Sequence, residues 1–139
     1  MNNIEIKIPS DPQFLKIIRS SITHVTGLLG FSPDAVNAVT IAVDEAVSNI
    51  IKHAYHGKKD EPIQVTINIL DDRLEIVLRD FGESAELGSI KPRNLDEIRP
   101  GGLGVHLIKS TMDVVIYDNS LAVGNQLTLA KYLPGKEGK

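Results

Sequence analysis

The chain has no cysteine, which excludes a disulfide framework, a thiolate metal site and a cysteine nucleophile. It has no excess of positive charge either. Fifteen basic side chains against eighteen acidic ones leave a net charge of −3, the wrong sign for a surface that must neutralise phosphate backbones. No apolar run approaches the roughly 20 residues that a membrane span needs. The opening Met1-Asn2-Asn3-Ile4-Glu5 lacks the basic region and apolar stretch of a secretion signal. Repeats, low-complexity blocks and an interdomain linker are also missing. The expectation is a cytoplasmic protein that meets neither a membrane nor nucleic acid directly.

What is present fits a single ordinary domain. A chain of 139 residues can bury a self-sufficient core, and one domain is expected over 1–133, with a loose tail at 134–139. Residues 3–9 alternate as a strand does and end at Pro9. Ser10 or Asp11 can cap a helix that has Pro12 in its first turn. Phe14, Leu15, Ile18, Ile22 and Val25 form its apolar stripe, and Gly30 stops it. Ser32-Pro33-Asp34 opens a second helix by the same chemistry, running to about Tyr55 and ended by Gly57. Strands are expected at 63–70 and 73–79, joined at Asp71-Asp72, then a helix from Gly102 to Met112, then strands at 114–117 and 125–133. Helices that come in succession and strands that come in hairpins point to an α+β two-layer sandwich. One helical layer should cover a mixed, mostly antiparallel sheet.

Three motifs carry the chemistry. On the second helix, Val36, Val39, Val43, Val47, Ile50 and Ala54 recur at helical spacing as a core stripe. Glu45 and Asn49 project together, roughly opposite that stripe. The plainer reading is a solvated polar face. The sharper one is a carboxylate acting as general base, with a neutral amide one turn on that ligates Mg²⁺ without overcharging the site. Asp44 and Ser48 lie close enough to substitute in a looser version. Lys52 is a candidate phosphate partner because it projects near Glu45, whereas His53 reads as a helix-end residue and no zinc spacing occurs.

The second motif, Asp80-Phe81-Gly82, ends a strand. A carboxylate there can accept a hydrogen bond from an exocyclic amine, and Gly82 lets a flat ring lie against the backbone. The plainer reading is a turn. Protein kinases carry the same three letters, but this chain is too short for that fold and lacks its other signatures. The third motif is Gly101-Gly102-Leu103-Gly104-Val105-His106. Glycines at a helix start expose backbone N–H groups where the helix dipole favours a phosphate. The motif is neither a Walker loop nor a dinucleotide fingerprint. Between the last two motifs, the polar stretch Glu83–Pro100 has the length of a functional loop, such as a lid over a nucleotide.

Together these residues resemble the GHKL (Bergerat) ATP-binding superfamily, and within it the small anti-sigma-factor serine-protein kinases. Ile41 to Ile50 is similar to that family's N box, Asp80-Phe81-Gly82 to its first glycine box, and Gly101 to Ile108 to its second. Met112-Asp113-Val114-Val115 and Gly124 to Lys131 resemble its last strands. The resemblance implies ATP and Mg²⁺ as cofactors, bound against the sheet-facing side of the helices. Glu45 becomes the base for a substrate serine, Asn49 the Mg²⁺ ligand, Asp80 the partner of the adenine amine, and the amides from Gly102 to Val105 the phosphate cradle. It also implies a homodimer that binds a sigma factor and phosphorylates an anti-sigma antagonist. The chain departs from the family in having Ser84 where a second glycine is usual, and Asn125 and Gln126 where threonine hydroxyls often face phosphate. The rival reading is a nucleotide-sensing module that sequesters a partner and transfers no phosphoryl group.

Overall fold

Eight-residue alternation and tight turns build one antiparallel sheet. The computed structural model describes residues 2–83 and 100–136, and of residues 100–105 only the backbone. Strand β1 is Asn2–Pro9, β2 Pro62–Ile69, β3 Arg73–Asp80, β4 Val114–Asp118 and β5 Asn125–Tyr132. They lie in the order β1-β2-β3-β5-β4. All four pairings are antiparallel, so the mixed character expected of the sheet is not seen among the described residues. The reason is topological. The chain crosses over after β3 and lays β4 down in the same direction as β3, but β5 returns between them. The two parallel strands therefore never touch.

The alternation has one face buried. Ile63, Val65 and Ile67 of β2, Leu74, Ile76 and Leu78 of β3, and Leu127 and Leu129 of β5 turn inward. Gln64, Thr66 and Asn68, which alternate with the β2 set, are only partly buried. Such one-sided burial is the ordinary state of an antiparallel sheet under a single helical layer.

That layer consists of α1 (Leu15–Leu28), α2 (Pro33–Asn49) and α3 (Pro100–Thr111). Its starts follow the expected cap chemistry, with one choice resolved. The Asp11 carboxylate accepts the Gln13 N–H at 3.1 Å and opens a 3-10 turn, Pro12–Phe14, ahead of α1. Ser10 is instead fully buried, donating to the Lys58 carbonyl at 2.5 Å and accepting the Glu61 N–H at 3.1 Å. Ser32 caps α2 through the Ala35 N–H, and Pro33 fills its first position. Helix α1 buries Leu15, Ile18, Ile22 and Val25. Gly30 follows at φ 88°, the left-handed conformation that ends a helix.

Helix α2 is central, packed by α1 and by α3. Its buried stripe is Val39, Ala42, Val43, Ala46 and Val47, continued by Ile50, Ile51 and Ala54. The alanines widen the expected valine stripe towards one flank, and Val36 is only partly buried. Past Asn49 the helix loosens into a π-helical turn, Ile50–Ala54, in which the Tyr55 N–H reaches back to the Ile50 carbonyl. Turns of this kind recur at functional sites because they re-aim the residues around them.

Candidate nucleotide site

One end of the sheet gathers the motifs. Strand directions bring the C-terminal ends of β1, β3 and β4 and the N-terminal ends of β2 and β5 to the same edge. Asp80 ends β3 there, opposite Asn125 at the start of β5. Its side chain faces the helical layer, in phase with Leu78 and Ile76, and is 2% exposed. The carboxylate Oδ1 accepts the Gly82 N–H at 2.9 Å and the Asn125 amide Nδ2–H at 3.0 Å. Burial pushes the Asp80 carboxyl above the ordinary range, and those donors together with the Arg79 cation pull it back.

The turn after Asp80 is welded to the end of α2. The Glu83 N–H donates to the Ala54 carbonyl at 3.1 Å, and Gly82 passes so close to that carbonyl that a Cβ would overlap it. The buried Tyr55 hydroxyl accepts the Phe81 N–H at 2.7 Å and donates to the Pro62 carbonyl at 2.5 Å. His56, at φ 52°, sets its Nε2 2.7 Å from Glu83 Oε2. On the β5 side, Gly124 at φ 78° runs against the Asp80 and Phe81 backbone, where a Cβ would also overlap. Arg79 stitches this corner by donating to the carbonyls of Asp80, Asn125 and Val123. A cleft of about 360 Å³ opens beside the turn between Ala54, Lys58, Phe81 and Glu83. Glu45, Asn49 and Asp80 do not line it.

Glu45 and Asn49 sit on the other flank of α2 from α1, not opposite the buried stripe. The Thr40 hydroxyl meets Thr23 of α1, and Asp44 takes Arg19 of α1 in a two-pronged pair at 2.8 and 3.4 Å. Asp44 is thereby committed to holding two helices together. Ala42 and Ala46 carry the buried stripe round to the Glu45 side, so Glu45 and Asn49 are half-buried where a solvated face would be exposed. With α1 on one flank, α3 packs along the other. Neither Glu45 nor Asn49 has a side-chain hydrogen bond or ion pair to another described residue. Ser48 is half-buried, Lys52 exposed and His53 half-buried.

The glycine motif opens α3. With the helix starting at Pro100, the amides of Gly101, Gly102 and Leu103 fall in the first turn, where a helix offers no acceptor of its own. Gly104, Val105 and His106 lie in the next, and His106 is exposed. The loop expected to act as a lid, with Ser84, lies outside the described residues apart from its ends.

The histidine kinase-like ATPase domain model matches residues 8–131 of the chain. The chain belongs to that family. The match takes in the end of β1, all of β2, β3 and β4, β5 short of its last residue, and all three helices. Within the family the chain is similar to the serine-protein kinase RsbW of Bacillus subtilis, at 33% identity over 96% of this chain and 87% of the relative. It is 34% identical to RsbW of Listeria innocua over 98% of this chain and 90% of that one. It is 37% identical to RsbW of Staphylococcus epidermidis, over 94% and 86%.

Two side chains of this corner escaped sequence reasoning in their structural roles. Tyr55 reads as a helix-end aromatic, and only its contacts with Pro62 and Phe81 reveal it as the pin of the Asp80 turn. Tyr117 of β4 shares the helix-facing side with Leu127 and Asn125. The side chain is 41% exposed; desolvation of its inner part and the Asp80 charge push the phenol up to about 12. Period-2 alternation places Tyr117 on a face and the expected hairpin sets β4 beside β5, but no sequence signal places β5 against β3 and its Asp80.

Proposed function

We propose that this chain is an ATP-dependent protein-serine kinase that doubles as an anti-sigma factor, working in the cytoplasm as a homodimer. Its protein partners are a sigma factor and the anti-sigma antagonist whose serine it phosphorylates. The observation that carries the reading is the contrast between Asp44 and Glu45. The first is spent on Arg19, whereas Glu45 and Asn49 stand half-buried, with no side-chain partner among the described residues, on the flank of α2 shared with α3, above a sheet edge that ends in a buried carboxylate.

The residues divide the work. Asp80 accepts the adenine amine, and Gly82, with no side chain, admits the ring against the backbone. First-turn amides of α3, around Gly101 to Leu103 with Gly104, Val105 and His106 following, hold phosphate oxygens. Lys52 adds a cation to the same end of α2. The donor chemistry fits Mg²⁺ held through phosphates and water, with few protein ligands. No cluster of three or more His, Asp or Glu exists among the described residues, and Asn49 supplies one neutral amide oxygen. When bound, the ion neutralises phosphate charge during transfer. Glu45 takes the proton of the substrate hydroxyl as the serine oxygen bonds to the γ-phosphorus and the bond to the β–γ bridging oxygen breaks, releasing ADP, and positioning supplies most of the rest.

The test is transfer from labelled ATP to a purified candidate antagonist, with the modified residue located by mass spectrometry. Phosphoserine formed by the wild type and not by Glu45→Gln supports the kinase. ATP binding without transfer to any candidate leaves only sequestration.

A further inference from the structure

Asn125 is an unusual residue to bury. It is 5% exposed at the start of β5, and its amide is spoken for on one side only. Nδ2 donates to Asp80 Oδ1 and to the Glu83 carbonyl, both at 3.0 Å. Those two acceptors use both amide protons, which fixes the orientation of the group. Turning it over would set an oxygen against a carboxylate and a carbonyl. The consequence falls on Oδ1, which is buried with no donor among the described residues. Leaving such an acceptor unpaired costs stability, so the arrangement is explained by what Nδ2 does, and Nδ2 holds Asp80.

We infer that Asn125 is the positioning residue that keeps Asp80 a pure acceptor, and so sets the preference of this site for 6-aminopurine over 6-oxopurine nucleotides. The inference rests on the nucleotide reading proposed above. An ionised carboxylate accepts an exocyclic amine but repels a carbonyl. Once protonated, the same group donates to the carbonyl and the discrimination collapses. Burial drives Asp80 towards the protonated form, and the Asn125 and Gly82 N–H groups oppose it. Among the described residues, the remaining charged or titratable neighbours are Arg79, which also favours the carboxylate, and the phenols of Tyr55 and Tyr117, which stay neutral in this range. Asn125 is the side chain whose amide both touches the carboxylate and ties it to Glu83, the last described residue before the long loop.

The experiment compares Mg-ATP with Mg-ITP, which differ in the 6-substituent and in the proton that the oxo form carries on N1, by calorimetry on the wild type, Asn125→Ala and Asn125→Thr. A ratio of two dissociation constants on one preparation is insensitive to the fraction folded. The wild type should prefer ATP by about tenfold or more. Asn125→Ala should cut that preference to about threefold or less, with the loss growing as pH is lowered below neutrality. Asn125→Thr, which restores a donor as a hydroxyl, should recover most of it. An unchanged ATP/ITP ratio in Asn125→Ala, or equal weakening of both nucleotides, would overturn the inference and leave Asn125 a structural residue. A wild type that binds neither nucleotide would overturn the nucleotide reading itself, and this inference with it.

Discussion

Gly82 lies directly under the carbonyl of Ala54, with no room between them for a Cβ. The contact ties the turn that carries Asp80 to the π-helical end of α2. Gly82→Ala must move backbone against backbone, and should cost about 1–3 kcal/mol, the usual range for overpacking. Affinity for ATP should fall with it. Gly27 is the internal control, because nothing lies within 4 Å of a Cβ there. Gly27→Ala in α1 should stabilise by up to about 1 kcal/mol. Urea midpoints of the two variants should move in opposite directions.

Neighbouring acids on α2 should behave as opposites in catalysis. Glu45→Gln keeps shape and removes the proposed base, so ATP affinity should change by less than about threefold while transfer drops by about 100-fold or more. Asp44→Asn weakens the link to Arg19 at the α1 side and should leave the rate of transfer near that of the wild type. Transfer that survives Glu45→Gln and is lost in Asp44→Asn would reverse the assignment.

Asp80→Asn should trade binding for stability. The folded carboxyl titrates above its unfolded value of 3.8, so the folded state holds this proton more tightly than the unfolded one. At pH above the folded value the buried charge is a full penalty on stability. The penalty shrinks as pH falls through that value and is gone below the unfolded one. Asparagine carries no such penalty and still offers an oxygen to Gly82 and Asn125. The variant should therefore melt at or above the wild-type temperature at neutral pH, with its advantage closing towards pH 3.8. Its ATP affinity should be about tenfold weaker or worse, the loss of a charge-assisted hydrogen bond. Thermal melts across pH, with and without ATP, check both halves.

The strands and helices were legible because each signal is local. Alternation in Ile63 to Ile69 and Leu74 to Asp80, the Ser32-Pro33 cap and the glycines after α1 and α2 depend on neighbours in sequence. Strand order was not legible, since nothing between Met112 and Asn125 says that β5 enters between β3 and β4. The π-helical turn has no composition of its own. Ala42 and Ala46 are buried, yet alanine suits a helix surface equally well, which is why Glu45 and Asn49 looked more solvated than they are. The motifs themselves were readable at 45, 49, 80 and 101–106. Their tie to Asn125 and Tyr55 was not, because those contacts join residues 45 and 26 apart in sequence.

Tyr55→Phe isolates one such tie. Removing the hydroxyl strands the Phe81 N–H and the Pro62 carbonyl together in a buried corner. The expected loss is about 1–3 kcal/mol, read from denaturant midpoints. ATP affinity should weaken more than stability alone explains, since the Asp80 turn loses its pin.

The central claim is a nucleotide site built on Asp80 and completed by Asn49 and the α3 amides. Calorimetric titration with ATP and with GTP, each with and without Mg²⁺, tests it most directly. The account predicts Mg²⁺-dependent ATP binding and GTP binding weaker by about tenfold or more, because Asp80 accepts an amine and repels a carbonyl. No binding at millimolar ATP, or equal binding of the two nucleotides, would contradict it.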